Sequence, residues 1–284
     1  MRPLRYVALG DSLTEGVGDR VDRAWRGWAA LLAEGLGTAD CPADFHNLAV
    51  SGAQTADVLA QQTPAALEMR PDVASVLVGV NDTLRRTFDI HAVAARLDEV
   101  YARLRAQGTV VVTACLPDPG TMLRLPGALA RPLARRGRAV NTVVHALSER
   151  HGALHLHACE GDWVMQKAMW SADRMHPSET GHRALAVRFH RLLAAEGIPV
   201  GPSPSPLAEM KPPSRATVLF WLATAGTAWM ARRCTDLLPQ LLTLAMDEAR
   251  HRARGTSARL DLSASAAVAS ALASLTVTER RDAA

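Results

Sequence analysis

Four short segments of the chain carry side chains that together could perform acyl transfer. The first is Gly10-Asp11-Ser12-Leu13-Thr14-Glu15-Gly16, and the second is Asn47-Leu48-Ala49-Val50-Ser51-Gly52. The third is Gly79-Val80-Asn81-Asp82, and the fourth is Asp173-Arg174-Met175-His176-Pro177. Attack on an ester carbonyl needs a nucleophile, a base, a group that orients the base, and donors for the oxyanion. Ser12 offers a hydroxyl that stays weak until a neighbour takes its proton. His176 is the side chain whose ordinary pKa suits that task. Asp173, three residues upstream, can hold the imidazole Nδ1 and so select its tautomer. The Ser12 and Gly52 backbone amides and the Asn81 side-chain amide are the available oxyanion donors.

These residues must be placed by the elements around them. Leu4–Leu9, Phe45–Val50, Val73–Val78, Thr109–Ala114 and Ala153–His157 are short apolar runs bounded by Gly, Pro or Asp, the pattern of buried strands. Between them lie helical stripes. One runs over Trp25–Leu36 and another starts near Thr55. A third is capped by Asp89 and closed by Gly108; two more cover Arg138–Arg150 and Ser178–Ala195. Alternating strands and helices with near-continuous apolar strands predict an α/β fold. Its form is a three-layer α/β/α sandwich around a parallel sheet of about five strands. Ligands in such sheets bind beyond the carboxyl ends of the strands, and three of the four segments directly follow strands.

Each segment alone has an ordinary explanation. Gly-Asp-Ser makes turns, Asn-Asp caps helices, and Pro177-Ser178 is a common helix entry. Four of them in this order at these positions favour catalysis. Together they resemble the GDSL family of the SGNH-hydrolase superfamily, over roughly residues 4–196. The third block reads Gly-Val-Asn-Asp where many members have Gly-Gly-Asn-Asp, which leaves Asn81 intact. The resemblance implies a flavodoxin-like sheet and hydrolysis of esters or thioesters through an acyl-enzyme, with no metal and no cofactor. The substrate would be an acetylated small molecule or carbohydrate, or a short-to-medium-chain lipid ester, as in a lysophospholipase. The alternative is a vestigial site in a module that binds membranes or proteins.

Other motifs are missing. There is no complete dinucleotide loop, no GxxxxGK[ST] and no GxSxG elbow. His155 and His157 alternate on one strand face, but no third ligand is evident in the sequence, so the pair reads as packing. His182, one turn past His176, reads as structural or as an aid to the base. Trp163, Met165, Met169, Trp170 and Met175, with the loop Met122–Leu125 further upstream, read either as an adaptable acyl-pocket wall or as core under a long loop.

Composition narrows the rest. The 284 residues are 48% hydrophobic and 21% charged, as in soluble globular chains, and only 4% aromatic, so the core must be mainly Ala, Val and Leu. Cys41, Cys115, Cys159 and Cys234 have no short spacing, which fits a reducing, cytoplasmic setting, and the N-terminus does not read as a secretory leader. The net charge of +4 is unevenly spread: residues 1–200 hold 22 basic and 21 acidic side chains, residues 201–284 hold 10 and 7. No basic block interleaves with aromatics, so nucleic acid is not an expected partner. The charge marks a division into a hydrolase domain (1–196), a Pro/Ser-rich linker (197–214), an amphipathic helical extension (215–254) and a loose Ala/Ser-rich tail (255–284). Ala216–Ala231 carries no charge but is short for a span of about 20 residues. The extension therefore reads as a peripheral membrane or protein contact. Oligomeric state is left open.

Overall fold

The computed structural model describes residues 2–122, 125–209, 216 and 238–282. In chain order, β1 (Arg5–Gly10) leads into a one-turn α1 (Ser12–Glu15) and a small hairpin of β2 (Arg20–Val21) and β3 (Ala24–Trp25). Then come α2 (Gly27–Gly35), β4 (Asp44–Asn47), α3 (Thr55–Asp57), a π-helical turn (Val58–Gln62) and α4 (Thr63–Met69). β5 (Val73–Leu77), α5 (Val80–Thr83), α6 (Ile90–Ala106), β6 (Val110–Ala114), α7 (Pro119–Met122) and α8 (Gly127–His151) follow. The order closes with β7 (Leu154–Leu156), α9 (Glu179–Ala195), α10 (Leu238–Ala253) and α11 (Ser257–Asp282).

The expected sandwich is what forms. Five parallel strands lie in the order β4-β1-β5-β6-β7. Because strand side chains alternate, β1 feeds both cores. Val7 and Leu9 pack with α6 and α8 on one face, and Tyr6 and Ala8 with α2 and α9 on the other. β1 and β5 run in register from Tyr6↔Val73 to Gly10↔Leu77, so both strands end at one level of the sheet. Gln62, buried in the π-helical turn, clamps that level. Its amide donates to Gly10 O at 2.9 Å, and its Oε1 accepts from Gly10 N at 2.8 Å.

Three expectations need correction. Trp25 is not part of the helical stripe; it lies in β3 and is exposed. The helix begins at Gly27 because the buried Asp19 carboxylate accepts from Gly27 N at 3.2 Å and satisfies a free first-turn amide. The helix expected over Arg138–Arg150 starts eleven residues earlier, at Gly127. Gly127, Pro132 and Gly137 hide its first half in the sequence, but α10 packs along α8, and Arg135 there pairs with the buried Glu248 at 3.1 Å. Finally, the tail is not loose. α11 lies against α6 and α8, and its Val268 and Ala271 are buried in the same core cluster. Small residues are what lets a helix sit so close to its neighbours. The apolar stretch Ala216–Ala231 falls almost wholly outside the described residues; among those described, no helix is long and apolar enough to cross a membrane.

Beneath the carboxyl edge lies a network of buried charge. Arg26 donates to both oxygens of Asp19 at 3.0 and 3.2 Å and to Glu179 Oε1 at 2.9 Å. Glu179 also accepts from Arg183 at 2.8 Å and from the Glu209 amide at 2.9 Å. The network ties the loop after α1, the start of α2, the first turn of α9 and the chain beyond α9 together. His182, fully buried beside it, accepts from Trp28 N at 3.1 Å on Nδ1 and donates from Nε2 to Val17 O at 3.1 Å. Burial pushes its pKa down to about 4. The unfolded chain therefore binds a proton at His182 that the folded chain refuses, so stability should fall as pH drops from about 6.5 to about 4. His182→Gln keeps one acceptor and one donor, and its urea midpoint should decline less steeply across that window. Equal slopes for the two proteins would show that His182 does not set this dependence.

Candidate active site

The four segments meet at the carboxyl edge of the sheet. Ser12 opens α1 directly after β1, and Asp11 caps that turn by accepting from Leu13 N at 3.1 Å. Asp173 and His176 lie in a tight loop before α9. Trp170 bridges Pro177, and Ser171 N donates to His176 O at 2.9 Å. Arg174 takes φ +60° at the loop's apex. Ser178 then caps α9, its hydroxyl accepting from Gly181 N at 3.4 Å.

Across 164 residues of chain, His176 Nε2 stands 2.8 Å from Ser12 Oγ. Its Nδ1 stands 2.6 Å from Asp173 Oδ2. Asp173 Oδ1 in turn accepts from Ser171 Oγ at 2.6 Å, Met175 N at 2.9 Å and His176 N at 3.0 Å. Burial alone would raise this carboxyl's pKa. The bonds from His176 and Ser171 outweigh it and hold the value down to about 2. The carboxylate is thus charged wherever the protein is folded near neutral pH, and it can orient and stabilise a protonated His176. Gly18 fixes the loop's distance from Ser12. A Cβ there would sit 2.0 Å from Pro177 O, so only glycine allows this close approach.

Gly52 and Asn81 arrive from the neighbouring strands. The loop after β4 is held against β1, with Leu48 N donating to Ala8 O at 2.8 Å and Val50 N to Gly10 O at 3.2 Å. Gly52 takes φ +86°, a conformation that favours glycine. Among the described residues, the Ser12 and Gly52 amides donate to no backbone acceptor, which leaves them open to a ligand oxygen. Asn81 sits in α5, and its Nδ2 donates to Ala53 O at 3.0 Å and Asp11 Oδ2 at 3.2 Å. Burial drives the Asp11 carboxyl up to about 6, opposed by its bonds to backbone amides and by the charge of His176.

Sequence reasoning missed the groups that hold these donors. Asp82, buried beside Asn81, accepts from Thr55 N at 3.1 Å and Thr55 Oγ1 at 2.7 Å, and so ties the third segment to the chain just past the second. Arg136 reaches from α8 to Thr83 O and Arg85 O, at 2.8 Å each, and satisfies the end of α5. Gln62 and Arg136 carry no local signal, because their partners are backbone atoms of distant segments. Asp82 could have been suspected, since it stands in the third motif.

The Trp and Met residues before the base divide. Trp163 and Trp170 stack on each other at 5.6 Å, with their indole N–H groups spent on Ala158 O and Val164 O. Trp170 is buried, Met169 and Met175 are half-buried, and Met165 is exposed. Met122 ends α7, while residues 123 and 124 lie outside the described residues. The histidine pair needs a correction too. Cys115, folded beside His155 and His157, supplies the third potential ligand that the sequence did not reveal.

Comparisons with known proteins agree with this architecture. A GDSL-like esterase of Mycobacterium tuberculosis is 32% identical over 121 residues, covering 41% of this chain but only 38% of that protein. An acetylxylan esterase of Geobacillus stearothermophilus is 28% identical over 163 residues, covering 54% of this chain and 73% of that one. The crystal structure of an acetylxylan esterase from the same organism superposes with a TM-score of 0.53 at 20% identity, covering 68% of this chain and 94% of that one. The structure of TesA does so at 0.52 and 24%, covering 67% and 98%. At such identities the superpositions speak for the fold. The model of the GDSL-like lipase/acylhydrolase family matches residues 8–184, well over half of the sequence and all four segments, so the chain belongs to that family.

Proposed function

We propose that this protein hydrolyses carboxylic esters with Ser12 as nucleophile. The observation that carries the proposal is the unbroken line from Ser12 Oγ through His176 to the charged Asp173, at 2.8 and 2.6 Å. Ser12 Oγ attacks the carbonyl carbon while its proton passes to His176 Nε2. Asp173 holds the imidazole in the tautomer that can accept there and stabilises the imidazolium that forms. His176 then protonates the leaving alkoxide as the carbon–oxygen bond breaks, which leaves an acyl group on Ser12. Water enters by the reverse sequence: His176 takes its proton, the hydroxide adds to the acyl carbon, and the acid departs as Ser12 regains its proton.

The Ser12 N–H, the Gly52 N–H and the Asn81 amide are the proposed donors to the tetrahedral oxyanion. Fixed dipoles of this kind act at the moment charge develops and need no reorganisation. Asn81 serves through the hydrogen now on Asp11, the longer of its two contacts, while Ala53 O keeps the side chain in place.

The favoured substrate is a short acyl ester, an acetate above all, of a polar alcohol. The acetylxylan esterase relative points that way. Across a series of nitrophenyl esters kcat/KM should therefore be highest for acetate; a maximum at medium chain length would point instead to a lipid ester.

Ser12→Ala should abolish ester turnover and labelling by a fluorophosphonate while leaving the circular dichroism unchanged. A wild-type protein that resists the fluorophosphonate would favour the vestigial binding module. Asn81→Ala should lower kcat by roughly 10²–10³ if its amide meets the oxyanion. A loss of tenfold or less in a steady-state assay would assign Asn81 to the structure alone.

A further inference from the structure

A second cluster of reactive side chains lies at the outer edge of the sheet and takes no part in the chemistry proposed above. β6 and β7 pair in parallel with Thr113 opposite His155 and Ala114 opposite Leu156. Cys115 extends this pairing by one residue, its N–H donating to Leu156 O at 3.2 Å. His155 lies in β7, and His157 follows just past the strand's end. The Cys115 Sγ and one ring nitrogen from each histidine lie within 4.8 Å of one another.

The surroundings of this trio are those of a ligand set. Cys115 is buried, and its sulfur accepts from Cys159 N at 3.2 Å. His155 Nδ1 contacts Thr113 Oγ1 at 2.9 Å, and Thr113 Oγ1 contacts Ser148 Oγ at 2.7 Å. Ser148 spends its own proton on Val144 O at 2.6 Å. Ser148 is then left to accept from Thr113, and Thr113 to accept from His155 Nδ1–H. That assignment puts the His155 lone pair on Nε2, which is buried and has no hydrogen-bond partner. A buried acceptor without a partner costs free energy that a cation would recover. His157 is half-exposed and gives an ion a way in, with Glu160 3.5 Å from its Nδ1. His145 on α8 completes a ring of imidazoles, 5.2 Å from His155 and 5.3 Å from His157.

We propose that Cys115, His155 and His157 bind a borderline-soft divalent transition-metal ion of the zinc class. One thiolate and two neutral imidazoles match the preference of such ions, and hard oxygen-seeking cations would find no carboxylate among the three. Binding forms one metal–sulfur and two metal–nitrogen bonds and releases the Cys115 thiol proton to solvent; the metal does not change oxidation state. The Thr113–Ser148 pair behind His155 plays the part that outer hydrogen bonds play at metal sites, fixing the ring and its tautomer. The ion would pin the three-residue β7, which among the described residues pairs with β6 alone, to the end of that strand.

Cobalt(II) is the direct probe. The full chain, stripped with EDTA and kept reduced, should bind one equivalent with a thiolate-to-cobalt charge-transfer absorption that zinc displaces. Cys115→Ser should remove that absorption. His157→Asn, at an exposed position, should weaken zinc binding by more than about tenfold in equilibrium dialysis. Ser12→Ala should bind as the wild type does, which separates this site from the hydrolytic one. The absence of a saturable equivalent, or affinity unchanged in both Cys115→Ser and His157→Asn, would overturn the proposal.

Discussion

Everything proposed about catalysis depends on one contact, the 2.8 Å approach of His176 Nε2 to Ser12 Oγ from the far end of the folded domain. No local preference can produce it. It requires β1 to end where α1 begins, α9 to start beside that turn, and the Asp173–His176 loop to stand at one distance from both. The parallel sheet supplies the first condition, since β1 and β5 stop in register at Gly10 and Leu77 and Gln62 clamps the backbone there. The buried Asp19–Arg26–Glu179–Arg183 network supplies the second by joining the chain after α1 to the first turn of α9. Gly18 against Pro177 supplies the third.

Burying three charged groups beneath a site, with a fourth half-covered beside them, is costly, and an apolar core of the same volume would often be as stable. Salt bridges, however, carry direction. Arg26 faces Asp19 with two donors and Glu179 with another, an arrangement that fits one orientation of α9 relative to α2. The geometry argues that specificity of placement, rather than net stability, is what this network contributes. The same logic holds on the other side of the site, where Asp82 and Arg136 join the Gly52 loop, α5 and α8.

How much could be read in advance follows from where each signal resides. Buried parallel strands are continuous apolar runs bounded by turn residues, so all five were visible, with most ends off by at most one residue and the second strand ending at Asn47, three residues before the expected Val50. The residues proposed as nucleophile, base, orienting carboxylate and oxyanion donors could be picked out too, because each stands in a short segment whose composition is unusual. α8 was half hidden because Pro132 and Gly137 argue locally against a helix, and only packing against α10 and the Arg135–Glu248 pair overrides them. α11 was misread for a related reason. An Ala/Ser-rich sequence has little amphipathic signal, yet small side chains are what allow it to lie close on α6 and α8.

The amino-acid sequence by itself determined the class of fold, the order of its elements and the identity of the groups with chemistry to offer, because periodicity, turn residues and side-chain type are local properties. The tertiary structure decided distances. It placed His176 on Ser12, spent the Trp163 and Trp170 rings on each other, turned the C-terminal tail into part of a core, and brought Cys115 beside two histidines some 40 residues away. A spacing of two along a strand tells which face a side chain takes. Which neighbour waits there depends on the pairing of strands remote in sequence, and only the packed sheet settles that.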